Sequence, residues 1–492
     1  MKDLTEKSIG GHILQMAVPI AAGMFFQTLY FLIDLYFVAH LGDAALAGVG
    51  AAGNVTFLVF ALTQVLGVGT VALISHAAGR KDRADATLVF NQSLVLSATC
   101  ALVTLLFGYA LASPYMHTLG SDAAMAAAGV RYLYWFLPSL GLQFALVVMG
   151  SALRGTGIVQ PTMMVQVLTV ILNAVLAPIL IAGWVTGYPL GVAGAGLASS
   201  LAVAVGVMLL GVYFHRLEKY VAFDSSAWRP QLATWGRLLR IGLPAGGEFV
   251  LMFVLMAVTY WLLRRFGPET QAGYGVGTRI MQSMFLPAMA VSFASAPIVG
   301  QNFAAGRYAR VREAFWVAAA SGAAIMTVLT LLCQWRAAWV VRAFTTEPTA
   351  MAVGSQFLHV VSWNFVASGF VFTCSALFQG LGNTIPSLLS SASRIVSFLI
   401  PALWLAARPE FQVVQLWYAS VASMTLQALV SLWLVRGQFR GRLRLSASPT
   451  PAGAQGIRCP VFTSGCGHSQ VTVVPPLGID SISRRAWSVA AR

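Results

Sequence analysis

The stretch MAVPIAAGMFFQTLYFLIDLYFVAHLGDAALAGVG occupies residues 16–50 and decides the class of fold. A bilayer-spanning helix needs roughly 20 mostly apolar residues. This stretch supplies one such run, a short break at His40–Asp43 and the start of a second run. Its apolar residues cover every helix face and show no period-2 alternation, so the pattern favours membrane helices over the strands of a transmembrane barrel.

The same pattern continues along the chain and predicts twelve membrane-spanning helices. Of 492 residues, 58% are apolar and 9% are charged, whereas soluble domains have about 45–50% and about 25%. A soluble enzyme or binding module is therefore excluded. The apolar runs fall near residues 13–39, 44–78, 88–112, 125–153, 161–183, 190–214, 236–265, 270–305, 314–335, 350–378, 386–407 and 413–435.

The basic residues predict how the chain is oriented in the membrane. If the N-terminus is cytoplasmic, 18 Lys and Arg residues fall in cytoplasmic segments. The opposite loops hold five, which are Arg264, Arg265, Arg336, Arg342 and Arg408. The positive-inside rule then places both termini in the cytoplasm of a multi-pass protein of the plasma (inner) membrane. Membrane insertion also explains the net charge of +15 without a nucleic-acid partner.

The two halves of the chain repeat each other at a shift of 225 residues. The matched pairs are Pro19 and Pro244, Gly42 and Gly267, Gly48 and Gly273, Gly155 and Gly380, and Pro161 and Pro386. Six spans, an even number, separate the copies, so both halves insert the same way up. We therefore expect an all-α integral membrane protein with two six-helix lobes, related by a pseudo-two-fold along the membrane normal.

The repeat also predicts the domain boundaries. Helices 1–6 form an N-lobe over residues 1–215, and helices 7–12 form a C-lobe over residues 236–445. A charged cytoplasmic linker, residues 216–235, joins the lobes, and residues 446–492 are expected to be a disordered tail. Pro19 and Pro244 are expected in the first turns of their helices.

Only two of the fifteen acidic residues, Asp34 and Glu248, fall well inside predicted spans. A carboxylate at membrane depth costs roughly 2.5–3.5 kcal/mol, so it is a functional candidate. A bound proton or sodium ion could neutralise it. The alternatives are a structural hydrogen bond, a buried arginine partner or, for Glu248, a place near the interface. The arginines inside spans, Arg279 and Arg394, are expected to be structural or to extend to the interface.

Neutral polar and aromatic side chains inside the spans are candidates for binding ions or cargo. Asn173 is a candidate ion or cargo ligand. Methionine and aromatic residues usually pack, but together they can line an adaptable cleft for flat organic cations. The candidate cargo-binding residues are Gln27, Tyr30, Met281, Met284, Trp363 and Phe365.

No catalytic motif is present in the sequence. It contains no metal-binding pair of His and Glu on a helix, no nucleophile elbow and no Walker loop. The chain is therefore not expected to be an enzyme, to bind a metal or to need a cofactor. An ion gradient remains as the energy source, and one charge crossing 100 mV is worth about 2.3 kcal/mol.

Over about residues 8–440 the chain resembles the multidrug and toxic compound extrusion (MATE) family. The resemblance is carried by DLYFVAHLGDAALAGVG (34–50), by Gly-x-Gly-x-x-x-Pro at 155–161 and 380–386, and by LGVAGAGLAS (190–199). It implies a twelve-helix, two-lobed antiporter that opens alternately to each side. Such a protein exchanges H⁺ or Na⁺ for small organic, often cationic, compounds. We expect it to act as a monomer in the lipid bilayer.

The resemblance also implies an ion-coupling site in the N-lobe. Asp34 matches the family's first-helix Asp, Asn173 matches an Asn of the same site, and Ser199 stands where a Thr often lies. Many members have a second Asp where this chain has Ala177, and a single carboxylate favours H⁺ over Na⁺. Glu248 is a fourth candidate for ion coupling, although the family's seventh-helix Glu usually lies farther past the proline.

Two alternatives remain open. A related flippase for lipid-linked oligosaccharides or lipids would need a broad, positively charged cleft, and few buried Arg or Lys residues are available. A channel or intramembrane enzyme is disfavoured by the two-bundle repeat and by the missing catalytic set.

Overall fold

A computed structural model describes residues 1–119, 122–184, 187–218, 220–342, 344 and 347–445, with only the backbone at 31, 35 and 442–445. The predicted tail, residues 446–492, lies outside the described residues. The described part is all-helical, without strands. Its first half contains α1 (Ile9–Ala39), α2 (Asp43–Gly79), α3 (Arg83–Leu119), α4 (Ala123–Gly155), α5 (Gln160–Ile181) and α6 (Val192–Arg216). Its second half contains α7 (Leu232–Leu263), α8 (Pro268–Ala304), α9 (Tyr308–Arg342), α10 (Pro348–Val361), α11 (Asn364–Gly380), α12 (Ile385–Ala406) and α13 (Val413–Leu445).

These helices confirm the expected number of spans. Eleven are long and apolar enough to cross a membrane, and α10 and α11 together form a twelfth span that is bent by 59°. The bend falls at Ser362 and Trp363, between the end of α10 and the start of α11. The tenth predicted span is therefore a broken helix.

The helices run up and down, and the end of the bundle where α1 begins is called the proximal end here. At this end His76 of α2 hydrogen-bonds through Nε2 to the Gly380 carbonyl of α11 at 2.7 Å. At the opposite, distal end, the Arg265 guanidinium donates to the Ala406 carbonyl at the end of α12.

The first helix of each lobe also packs into the other lobe. Ile13 and Met16 of α1 are buried in one core with Phe315 and Phe378 of the C-lobe. In the same way Leu238 and other residues near the start of α7 are buried in the N-lobe core. The proximal halves of α1 and α7 are thus exchanged between the lobes.

The prolines lie deeper in these helices than the sequence predicts. Helix α1 begins at Ile9, ten residues before Pro19, and α7 begins at Leu232, twelve residues before Pro244. Neither proline is in a first turn, because residues 9–12 and 232–235, which precede the predicted apolar runs, are also helical. An internal proline cannot donate the backbone hydrogen bond to the preceding turn, so each helix has a point of weakness near the lobe interface.

Glycines allow the lobes to touch at the proximal end. A Cβ at Gly79 of α2 would lie 2.2 Å from the Gln301 carbonyl oxygen of α8, and one at Gly242 of α7 would lie 2.0 Å from the Val65 carbonyl oxygen of α2. Both neighbours are backbone atoms that cannot rotate away. Only glycine fits this contact without a shift of the helices.

The linker between the lobes is held against α3. The Asn91 amide donates to the Ala222 carbonyl at 2.9 Å, and its oxygen accepts from the Trp228 indole at 3.0 Å. The Gln92 amide donates to the Ala227 and Arg229 carbonyls at 2.6 and 2.8 Å. Two buried amides of the N-lobe thus fix the chain that leads into α7.

Candidate functional site

The N-lobe holds a buried polar cluster around Asp34. Asp34 is only 7% exposed, and the Tyr132 hydroxyl of α4 hydrogen-bonds to its carboxylate. One turn earlier on α1, the Tyr30 hydroxyl is hydrogen-bonded to Ser199 of α6. Helices α1, α4, α5 and α6 therefore all contribute side chains to this cluster, since Asn173 of α5 also reaches Ser199.

Asn173 and Ser199 complete the cluster and are both fully buried. The Asn173 amide donates to the Ser199 hydroxyl at 3.5 Å, a long hydrogen bond. Asn173 Oδ1 and Asp34 Oδ1 are both enclosed and accept no hydrogen bond from any described residue. Two acceptor oxygens thus lack donors, and Ala177, where the family often has a second Asp, adds no further acceptor.

No described arginine or lysine pairs with Asp34. The ion pairs within the described residues join Asp85 to Arg80 and Arg237, at 2.8 and 3.0 Å on the proximal surface. A permanent ion pair, which the sequence leaves open as a structural role for Asp34, is therefore not observed in the described part of the chain.

Glu248 lies in the C-lobe, apart from the Asp34 cluster. It falls near the middle of the 32-residue helix α7, eight residues after Arg240. Its Oε2 atom accepts hydrogen bonds from Ser375 at 3.0 Å and from Ser387 at 2.6 Å. Ser391 also hydrogen-bonds to this carboxylate. The four residues predicted for ion coupling thus occupy two sites: three lie in the N-lobe cluster and Glu248 lies alone among serines.

The residues predicted for cargo binding lie in several places. Tyr30 belongs to the Asp34 cluster, and Gln27 lies 3.4 Å from the Gln166 amide nitrogen of α5. Phe365 is fully buried in a core with Met326. The remaining three are Met281 and Met284, which are partly buried against the C-lobe cores, and Trp363, which is exposed at the break between α10 and α11.

Sequence reasoning missed Tyr132. It lies in RYLYWF (131–136), where the three other aromatic residues are equally plausible core residues. The hydrogen bond to Asp34 distinguishes Tyr132 from its neighbours, and no spacing in the sequence predicts it.

Aromatic pairs mark the line along which α2 and α7 meet. Phe60 and Phe249 are 5.4 Å apart between ring centroids, and Phe57 and Phe253 are 5.9 Å apart. On the distal side of these pairs Asn54 of α2 is exposed, whereas on the proximal side Val65 contacts Gly242. The lobes are therefore closed at the proximal end, where α2 and α7 touch.

The residues before α1 reinforce this closure, and we name Lys2–Lys7 the N-terminal strap. The Lys2 amide donates to the Thr156 carbonyl of the N-lobe at 2.9 Å, and the Leu4 amide donates to the Gln301 side chain of the C-lobe at 3.0 Å. The Gln301 amide donates in turn to the Gly155 carbonyl at 3.0 Å. The strap thus ties the end of α4 to the end of α8.

Further contacts hold the strap in place. Arg310 donates to the Glu6 and Lys7 carbonyls at 3.2 and 2.8 Å. The Thr5 hydroxyl donates to Asp3 at 2.6 Å, and this hydrogen bond lowers the pKa of the Asp3 carboxyl group. Asp3 is therefore ionised at neutral pH, and the turn that it forms does not titrate there.

Comparisons with known proteins agree with this architecture. A sequence model of the MatE family matches the chain twice, over residues 19–179 and 244–405. The two matches begin 225 residues apart, which is the shift of the internal repeat. The chain is 26% identical over 411 residues to the multidrug export protein MepA of Staphylococcus haemolyticus, covering 81% of this chain and 87% of that protein. It is 24% identical over 408 residues to an FAD transporter of Shewanella oneidensis, covering 82% and 89%.

Solved structures show the same fold. The chain matches an outward-facing conformation of a multidrug resistance MATE transporter with a TM-score of 0.84 at 23% identity, over 90% of this chain and 98% of that one. A MATE structure in a bent conformation gives a TM-score of 0.85 at the same identity and coverage. With the family model matched across both lobes, the chain belongs to the MatE family and is a multi-pass membrane transporter, not an enzyme.

Proposed function

We propose that this protein is a cation-coupled antiporter that exports amphipathic organic compounds by alternating access. The coupling ion is H⁺ rather than Na⁺. Both termini lie in the cytoplasm of the plasma membrane, so the proximal end is cytoplasmic. The likeness to multidrug export proteins supports the cargo class, and the 18 basic residues that the sequence assigns to cytoplasmic segments support the orientation.

The burial of Asp34 without a cationic partner carries the proposal. A desolvated carboxylate is stable only when it is paired, hydrogen-bonded or neutralised. Tyr132 supplies one hydrogen bond, and Oδ1 has no donor among the described residues. A cation arriving at Oδ1 would remove this deficit, so the site is suited to bind and release one positive charge.

The side-chain oxygen atoms available at the Asp34 site favour a proton over a sodium ion as the coupling ion. A metal cation that sheds its water needs several oxygen ligands around it. Asp34 supplies one carboxylate, Asn173 one unpartnered carbonyl oxygen, and Ala177 none. A proton needs one carboxylate oxygen, and Asp34 Oδ1 provides it.

Helix α1 connects this charge change to the lobe interface. Its distal half carries Asp34 and its proximal half packs in the C-lobe core with Phe315. In the proposed cycle the outward-facing protein has Asp34 ionised and cargo bound. A proton from outside neutralises Asp34 and cargo is released. The neutral site then permits the change to the inward-facing state, where the proton leaves and new cargo binds.

The test is transport by the full-length chain in proteoliposomes, with proton and sodium gradients imposed separately. Because the relatives transport drugs in one case and FAD in another, ethidium and FAD are both offered. Asp34→Asn keeps the size and an acceptor for Tyr132 but removes the titratable charge. We expect it to abolish gradient-driven export while the thermal unfolding temperature stays within a few degrees of wild type.

The matched control is Asp43→Asn, which makes the same change at the exposed start of α2. We expect this variant to transport at the wild-type rate. Full export by Asp34→Asn would eliminate the coupling role of Asp34, and export driven by a sodium gradient alone would overturn the choice of H⁺.

A further inference from the structure

Arg394 is a charged residue in the middle of a membrane-spanning helix. It lies nine residues after the start of α12 and twelve before its end, which is about 14 Å and about 18 Å along the axis. The side chain is too far from either end of α12 to extend to the membrane interface, which is one of the two roles that the sequence leaves open for Arg394. Its charge must therefore be accommodated within the C-lobe.

The helical period places Arg394 on the face of α12 that packs against the bundle. Ser387, Ser391 and Phe398 are buried and share its face at spacings of three and four residues. The opposite face carries Val396 and Ile400, which are exposed as expected for contact with lipid. Arg394 itself is half-buried on this face.

The guanidinium of Arg394 has no partner among the described residues. Its Nε atom is enclosed and donates no hydrogen bond, and no described carboxylate comes within ion-pair distance. Glu248 is the carboxylate on the neighbouring helix α7, but its Oε2 atom already accepts from Ser375 and Ser387. A fixed positive charge thus remains uncompensated in the C-lobe.

The internal repeat places different polar and charged residues at equivalent positions of the two lobes. A shift of 225 places Thr259 where the N-lobe has Asp34, and Arg394 where it has Thr169. Thr259 hydrogen-bonds to Tyr274, which is within electrostatic range of Arg394. The C-lobe therefore has no carboxylate at the position equivalent to Asp34 and has a guanidinium at the position equivalent to Thr169.

We propose that Arg394 binds an anionic group of the cargo, a carboxylate or a phosphate. The planar guanidinium presents paired N–H donors that match either group. Cargo with an aromatic body and one such group would meet the guanidinium in the C-lobe while Asp34 titrates in the N-lobe. This inference rests on the proposed export function and specifies the substrate class that it serves.

The test measures equilibrium binding to the full-length protein in lipid nanodiscs by fluorescence polarisation, with no ion gradient. Two pairs of probes separate the two anions. Rhodamine B and its ethyl ester differ in a carboxylate, and riboflavin 5′-phosphate and riboflavin differ in a phosphate. We expect wild type to bind the anionic member at least tenfold more tightly in one pair, which identifies the anion.

Substitutions then assign that preference to Arg394. In Arg394→Gln the dissociation constants of the two probes of the pair are expected to lie within about twofold of each other. Arg394→Lys is expected to retain part of the preference, because it keeps the positive charge but not the paired N–H donors of the guanidinium. The matched control is Arg408→Gln, which removes an exposed guanidinium stacked on Trp404 just beyond α12 and is expected to keep the full preference.

Three results would overturn the inference. They are no preference for either anion in wild type, an unchanged preference in Arg394→Gln, and an equal loss of affinity for both members of a pair, which indicates a structural role. If Arg394→Gln does not fold, wild type and Arg394→Lys still decide the question. Asp34→Asn should keep the anion preference, so failure of ion coupling and failure of anion binding are separate outcomes.

Discussion

Asp34 depends on a side chain from a distant part of the chain. Tyr132 of α4 is separated from Asp34 by almost a hundred residues and meets it where α1 enters the N-lobe. A hydrogen bond to a charged group contributes about 1.5–3 kcal/mol. The ionised form of Asp34 has few other donors, since Oδ1 accepts none from the described residues. Tyr132 should therefore set how readily the site releases its cation.

Tyr132→Phe tests this dependence. The substitution removes one hydroxyl and keeps the ring, so the ionised carboxylate loses its hydrogen bond from α4. We expect gradient-driven export to fall by about tenfold, less than the complete loss in Asp34→Asn, with little change in unfolding temperature. Transport rates in proteoliposomes measure this effect. Tyr109→Phe is the control, because Tyr109 donates to the Tyr134 carbonyl on the exposed face of the same lobe. Equal rates for the two variants would contradict the role of Tyr132.

The sequence predicts the N-lobe cluster in part. Asp34 could be singled out because a carboxylate in an apolar run is costly, and Asn173 because it is a polar residue inside a span. Ser199, which the family resemblance implies, lies between Asn173 and Tyr30. Tyr132 could not be singled out, because a tyrosine among aromatic residues costs little wherever it packs. The sequence also shows that Arg394 is a charged residue inside a span. It does not predict that Arg394 lacks a partner, because that depends on where the neighbouring side chains lie.

At the scale of elements, the strap and α1 form one continuous unit. Leu4 is fully buried between the lobes although it precedes the first span. The sequence gives no indication of this, because residues 1–8 have no apolar periodicity and their partners lie about 300 residues away. The unit starts with hydrogen bonds to both lobes, crosses the C-lobe core and ends at Asp34. A structural change at either end of α1 should therefore alter the structure at the other end.

Gln301→Ala should loosen this unit at its proximal end. Gln301 is buried and bridges the Leu4 amide and the Gly155 carbonyl, so its loss leaves two buried polar groups unpaired, at roughly 1–3 kcal/mol each. We expect hydrogen–deuterium exchange at the strap to accelerate by about tenfold or more.

The control for this prediction is Gln334→Ala at the distal end of the C-lobe. Gln334 also bridges two groups, the His359 carbonyl and the Ser362 hydroxyl, at 2.6 and 2.7 Å. We expect it to leave exchange at the strap unchanged. If both variants accelerate exchange at the strap alike, general destabilisation rather than the strap's own hydrogen bonds explains the effect.

At the scale of the whole molecule, the repeat predicts two equivalent lobes, and the structure adds that they exchange helices. The proximal half of α1 lies in the C-lobe core and the proximal half of α7 lies in the N-lobe core. Periodicity cannot predict this exchange, because a helix that is apolar on all sides has no preferred neighbour. Because each of these helix halves packs in the other lobe, we expect opening of the proximal end to move both α1 and α7.

The glycines at this interface therefore favour one of the two states that alternating access requires. A methyl group at Gly79 or Gly242 would collide with a backbone carbonyl only while the proximal end is closed. Overpacking costs about 1–3 kcal/mol, whereas alanine favours the helix by about 1 kcal/mol in either state. Gly79→Ala and Gly242→Ala should thus raise the ratio of proximally open to proximally closed protein by about tenfold and slow export.

Gly50→Ala is the control, because it makes the same change on α2 where no atom lies within 4 Å. Double electron–electron resonance measures the distance between spin labels at the exposed positions 83 and 312 in a cysteine-free background. This distance should lengthen in Gly79→Ala and Gly242→Ala and stay unchanged in Gly50→Ala. Unchanged distances in all three would show that these glycine contacts do not control the opening of the lobes.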